Sequence, residues 1–263
     1  MSLKMFTHKT DLTETLISTL LHSKEMTSEI LKWADYLDID LTSPRIACII
    51  EMESDSLEVM VDRIQMIQEW LMAQNKQNLV IQRSLSQLVL LTPALESDEK
   101  WDLEQHIASM QQLINYIEEP HFTVTVAIGR YVAQYNPHHI ATSYQTAKAT
   151  LQAGKIRCPN KKIYIYQELI LPILFEKLKQ GWEKEELDCI MQKLKEADEN
   201  GILRNTLFTW FENNMQSVST ANILNIHRNS LEYRLNKIAQ ITGLNLSNTA
   251  DKVLLYIALY SIC

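Results

Sequence analysis

The spacing of apolar residues changes character once along the chain, near Leu169, and the change separates two kinds of structure. Before that point short β-branched runs alternate with helical stripes; after it every apolar repeat has a helical period. Residues 45–51, behind Pro44, read as a buried strand, and 57–73 (Leu57, Val61, Ile64, Ile67, Leu71) as an amphipathic helix. Residues 79–82 and 88–91, joined through Arg83-Ser84-Leu85-Ser86-Gln87 and closed by Pro93, read as a hairpin. A helix over 101–117 stops at Pro120. A strand follows over 122–128, then a helix opened by Pro137 and capped by Gly154, then a short strand over 163–166. The order β-α-β-β-α-β-α-β predicts a mainly antiparallel central sheet with helices packed on it.

Ahead of this region, Leu12, Leu16, Ile17, Leu20 and Leu21 form one helical stripe. Ile30, Leu31, Trp33, Ala34 and Leu37 form a second, behind a capping Thr27 or Ser28. Three sustained heptads are missing, so these stripes are expected to pack on the neighbouring domain rather than form a coiled coil. The fold class is α+β, an α/β domain followed by an all-α domain. The expected boundaries are a helical segment at 1–43, the α/β domain at 44–168, a helical connector at 169–200 and a compact helical module at 201–263.

Several function classes are excluded. The five glycines (Gly129, Gly154, Gly181, Gly201, Gly243) cannot be written as G-x-G-x-x-G or as a P-loop. Cys48, Cys158, Cys189 and Cys263 are scattered, with no C-x-x-C and no histidine at ligand spacing, and read as reduced thiols. His138 and His139, adjacent on a helix, point apart, so no metal and no cofactor is expected. No Ser-His-Asp or Cys-His spacing suggests a nucleophile. The apolar run at 253–263 is too short to span a bilayer, and no basic stretch plus apolar core follows Met1. A cytoplasmic protein without membrane contact is expected. The net charge of −7 argues against a wholly basic coat, yet residues 201–263 hold five basic and three acidic side chains, leaving −9 for the rest.

That module carries the most specific pattern. Leu203, Leu207, Trp210 and Phe211 form one stripe. A short helix is expected from Ser219-Thr220-Ala221, with Ser219 capping it, to about Leu224. A tight turn at Asn225-Ile226 leads into a helix over 227–242, which Gly243 caps and Leu244 follows with an apolar contact. Leu231, Leu235 and Ile238 fall on one side of that helix; Asn229, Ser230, Tyr233, Asn236 and Lys237 fall on the other, flanked by Arg228 and Arg234. Short helix, tight turn and long helix with a donor-rich outer face read either as the solvated face of an ordinary helical bundle or as a helix-turn-helix DNA reader, and the DNA reader is the expectation. Its second helix enters the major groove, so Arg228, Asn229, Ser230 and Tyr233 are expected at base edges. Ser219, Thr220, Arg234 and Lys237 are expected at phosphates.

The run Leu224-x-Ile226-His227-Arg228-Asn229-Ser230-Leu231-Glu232-Tyr233-Arg234-Leu235-Asn236-x-Ile238, followed by Thr242-Gly243-Leu244-x-Leu246, resembles the C-terminal helix-turn-helix of bacterial purine-catabolism and carbohydrate-diacid regulators (the PucR and CdaR types). Resemblance to the diacid regulators extends to Asp38-Ile39-Asp40-Leu41-x-x-Pro44-Arg45, Ser143-Tyr144-x-x-Ala147, Tyr164-x-Tyr166-Gln167-x-Leu169-x-Leu171-Pro172 and Leu254-Leu255-Tyr256-x-Ala258-Leu259. Ser230 stands where the pattern usually has Thr, and Asn245 where it usually has Asp. The middle domain resembles a degenerate cyclase-like, GGDEF-related fold. Its hairpin loop reads Ser84-Leu85-Ser86-Gln87 where cyclases carry two glycines and two carboxylates, and Glu51 alone cannot build a two-metal site. No catalysis is therefore expected.

The resemblance implies a transcription regulator, an activator of genes for uptake and use of glucarate, galactarate or glycerate, bound as a homodimer to double-stranded DNA. Those regulators carry a sugar-diacid sensor domain ahead of the region corresponding to Thr10. The effector is thus expected to act through a domain absent from this chain. Three other readings stay open: control of purine catabolism, a nucleotide-sensing or cyclase-like signalling protein, and an adaptor whose helical module no longer binds DNA.

Overall fold

Burial on both faces makes residues 46–50 the natural centre of a sheet, and all five are fully buried there. The computed structural model describes residues 2–23, 25–41, 43–94, 96–97, 100–132, 139–178 and 181–262. Contacts divide the chain into two units, Met1–Ile170 and Leu171–Cys263.

The first unit opens with α1 (Ser2–His22) and α2 (Ser28–Tyr36). Leu16, Ile17, Leu20 and Leu21 of the first stripe are buried, and the Thr27 hydroxyl caps α2 by accepting from Ile30 N at 3.3 Å. Next come β1 (Arg45–Ser54), α3 (Leu57–Gln74), β2 (Leu79–Ser84), β3 (Gln87–Pro93), β4 (Glu96–Ser97), β5 (Lys100–Trp101), α4 (Leu103–Ile117), β6 (Phe122–Ile128), α5 (His139–Arg157) and β7 (Ile163–Ile165). Five strands form one sheet in the order β2-β3-β1-β6-β7, antiparallel except for the β6–β7 pair. The sheet is mainly antiparallel, as the element order predicts. The β4–β5 ribbon was not foreseen.

In this register Cys48 stands opposite Leu90 on β3 and Ile128 on β6. Alternate residues Ile46, Cys48, Ile50 and Met52 pack with α3 and α4 through Ile64, Ile67, Leu71, Met110, Leu113 and Ile117. The opposite face is covered by α5, with α1 against α5 and β2. Burial pushes the Cys48 thiol up to about 12, which keeps it an inert neutral group. Arg45 is also buried. It donates to the carbonyls of Asp40 (2.7 Å) and Gln77 (2.6 Å), tying the chain before β1 to the start of β2.

One expectation needs correcting. Gly154 is not the cap of α5, which continues to Arg157. A Cβ at Gly154 would lie 2.3 Å from Cγ of Tyr164, so the glycine is there to admit that ring against the helix. Pro137 and His138 lie outside the described residues; His139 is buried.

The second unit is helical: α6 (Ile170–Lys177), α7 (Trp182–Ala197), α8 (Ile202–Glu212), α9 (Ser217–Ile223), α10 (Arg228–Thr242) and α11 (Thr249–Ile262). Its core joins Leu203, Leu207 and Trp210 of α8 to Leu231 and Ile238 of α10 and Leu255 of α11. Leu187, Met191 and Leu194 of α7 enter the same core, so part of the segment read as a connector is packed into this unit.

Candidate nucleic-acid interface

Specific residues fix where α8, α9 and α10 begin or end. Asp198 caps α8: its carboxylate oxygens accept from Leu203 N and Arg204 N, both at 2.9 Å, and from Arg204 Nε at 3.3 Å. Burial pushes this carboxyl up, but those hydrogen bonds and the guanidinium outweigh it and hold it below the usual carboxylate range. Helix α9 begins at Ser217 behind Gln216, so Ser219 does not cap it; its hydroxyl donates back to Gln216 O at 3.2 Å. The tight turn follows, with Asn225 at φ 52° and Ile226 N donating to Ala221 O at 3.0 Å. His227 caps α10, its Nδ1 accepting from Asn229 N at 3.2 Å. Gly243, at φ 74°, closes α10 in the left-handed conformation expected of it.

Helix α10 presents two chemically opposite sides. Leu231 and Ile238 are fully buried, whereas Arg228, Asn229, Ser230, Asn236 and Lys237 are exposed and Tyr233 is 67% exposed. The residues assigned to base edges are thus all exposed on the first two turns, with Asn229, Ser230 and Tyr233 on one side and Arg228 flanking them. Those assigned to phosphates do not stay together. Lys237 is exposed; Arg234 is half-buried, with Nη1 donating to Thr206 Oγ1 at 3.1 Å. Thr220 is fully buried and its hydroxyl donates to Gln216 O at 2.7 Å, so the expectation that it meets phosphate is withdrawn. Here the helix turns Thr220 into the core and leaves Ser219 half-buried beside it.

Two features escaped the sequence reading. Glu232 lies one turn beyond Arg228 and its Oε1 is 3.4 Å from Arg228 Nε; the i,i+4 spacing could have revealed it. Beside α10 there is also a cleft of about 660 Å³. Ser230, Tyr233 and Lys237 line one side of it, and Glu196, Glu199 and Asn200 the other. Nothing local in the sequence points to this acidic wall.

In the first unit, β2 and β3 are joined by a two-residue turn at Leu85-Ser86. Glu51 on β1 is ion-paired with Lys155 of α5, which also reaches Glu53 at 3.3 Å. Among the described residues no three His, Cys, Asp or Glu side chains are grouped to hold a metal ion, and no helix is long and apolar enough to cross a membrane.

Comparison with known proteins agrees with this two-part organisation. Residues 22–153 match the GGDEF-like domain family, and residues 203–260 match the PucR C-terminal helix-turn-helix domain. The chain is 42% identical over 251 residues to the carbohydrate diacid regulator of Escherichia coli (strain K12), covering 94% of this chain and 65% of that protein. It is 30% identical over 244 residues to an uncharacterized protein of Haemophilus influenzae, covering 93% and 63%. Similarity to the DNA-binding transcriptional activator AdeR of Bacillus subtilis (strain 168) is 27% over 220 residues, covering 80% and 49%. The chain therefore spans less than two thirds of the length of each of these relatives.

Proposed function

Because this chain belongs to the GGDEF-like domain family and its residues 203–260 match the PucR C-terminal helix-turn-helix domain, we propose that it is a DNA-binding transcriptional activator of genes for sugar-diacid uptake and catabolism. The observation that carries the reading is the open polar edge of α10, held outward by a buried Leu231 and Ile238. With that edge in the major groove, Arg228 reads guanine, Asn229 reads adenine, and Ser230 and Tyr233 complete the contact. Lys237, with the half-buried Arg234 and Ser219 beside it, meets the phosphates that set register.

A single module of this size reads few base pairs, so two copies act across a two-fold axis, on half-sites about one helical turn apart. The effector class is a carbohydrate diacid, the ligand in the name of the Escherichia coli relative. The GGDEF-like domain serves as a regulatory body, because Glu51 is committed to Lys155. The protein works in the cytoplasm, where its DNA is.

The test is selection from random-sequence duplex DNA with the full chain, followed by footprinting. Enrichment of a two-fold symmetric site with half-sites about 34 Å apart supports the reading. Enrichment of no sequence overturns it.

A further inference from the structure

DNA reading leaves unused a cavity in the first unit, bounded by α3, α4 and β3. It measures about 320 Å³, at the lower end of the range for small-molecule sites. Leu71, Leu90, Met110, Asn78 and His106 form its buried part. Gln74, Gln105 and Gln112 stand exposed around it, and Trp70 and Ser109 are half-buried. Among the described residues no Asp, Glu, Lys or Arg lines it.

Two of its buried side chains carry hydrogen-bonding atoms with no partner. Asn78 is 5% exposed; its Nδ2 donates to Leu71 O at 2.6 Å, and its Oδ1 accepts from nothing. His106 is 2% exposed, and Trp101 Nε1 lies 3.2 Å from its Nδ1. Nδ1 also lies 3.2 Å from Asp102 O, so it either accepts from the indole N–H or donates to that carbonyl, and Nε2, which lacks a partner, is correspondingly a donor or an acceptor. Burial lowers the pKa of His106, which keeps the ring neutral. The two side chains therefore present an unused amide acceptor and an unused ring nitrogen that donates in one tautomer and accepts in the other. Buried polar groups in folded proteins rarely stay unsatisfied, which makes this pairing informative.

We propose that this cavity binds an uncharged polyhydroxyl molecule, a neutral sugar or sugar alcohol, whose hydroxyls donate to Asn78 Oδ1 and either accept from or donate to His106 Nε2. A hydroxyl does both, and the amide groups of Gln74, Gln105 and Gln112 offer the same mixed chemistry to further hydroxyls. Trp70 supplies an apolar wall for the C–H faces of such a ligand. A sugar dicarboxylate is a poor occupant, because a carboxylate here would lose water and gain no cation. The site is thus separate from any diacid effector and does not depend on the DNA-binding reading.

Ligand-observed NMR and thermal shift on the full chain test this with three groups of probes. These are neutral polyols (glucose, galactose, mannitol, galactitol), the dianions glucarate and galactarate, and the planar bases adenine and uracil. Asn78 and His106 are too deeply packed to replace safely, so the control is Ser109→Leu, which fills the cavity from a half-buried helical position. The expected result is binding of at least one neutral polyol, weakened about tenfold or more in Ser109→Leu, with the unliganded variant still folding cooperatively. The proposal is overturned if no polyol binds, so that water alone fills the cavity. Binding confined to dianions or bases, or polyol binding that Ser109→Leu leaves unchanged, overturns it as well.

Discussion

Arg228 and Glu232 lie one turn apart on α10, with Nε and Oε1 3.4 Å from each other, so the first cation of the exposed side of this helix is paired with an acid of its own helix. Both are more than half exposed, and such pairs are worth little, about 0–1 kcal/mol. The pair opens easily when guanine or phosphate competes for Arg228. Until then it removes a free positive charge from the surface proposed to meet DNA.

Glu232→Gln is therefore expected to tighten binding to non-cognate duplexes severalfold. It should also steepen the dependence of log K on log salt by about one, the increment of one added phosphate contact. Fluorescence anisotropy across a salt series measures both. An unchanged slope means that Glu232 does not restrain Arg228.

Asp198 caps α8 and has a pKa held below that of an unfolded carboxylate. A group depressed on folding stabilises the protein above its unfolded value, near 3.9, and the contribution is lost as pH falls through the lower folded value. Asp198→Asn should cost about 1–3 kcal/mol at neutral pH, since the buried backbone donors of α8 lose a charged acceptor. Thermal denaturation of both proteins should show the gap closing as pH drops below the carboxylate range. A gap independent of pH would assign the loss to packing instead.

Gly154→Ala sets two effects against each other. Alanine favours a helix over glycine by about 1 kcal/mol. The new Cβ would lie within 2.6 Å of three atoms of the Tyr164 ring, and overpacking of a core costs about 1–3 kcal/mol or more. Three simultaneous clashes put the balance on the side of destabilisation. Urea denaturation reads it directly, and a more stable variant would mean the ring moves freely.

What the sequence made legible followed from periodicity. The alternation in β6 gave its limits to the residue, and the apolar stripe of α10 separated its buried side from its polar edge. Gly154 was misread because a glycine near the end of a helical pattern resembles a cap, while the need for it came from Tyr164, ten residues on. The β4–β5 ribbon has two residues per strand, too few to carry a period. His227 as the cap of α10 was hidden because imidazole is outside the usual capping set. Thr220 looked available by composition, yet the helix turns it inward. The acidic wall of Glu196 and Glu199 exists only once α7 has packed beside α10.

If the exposed edge of α10 reads DNA, Asn229→Ala and Lys237→Ala must fail in different ways. Repeating the random-sequence selection and the salt series on both variants tests this most directly. Asn229→Ala should relax one base pair of the site, at a cost of about 1–3 kcal/mol for a bidentate contact. Lys237→Ala should weaken all sequences alike and shallow the salt slope by about one. Selected sites and salt slopes indistinguishable from the parent in both variants would contradict the assignment of α10 as the recognition helix.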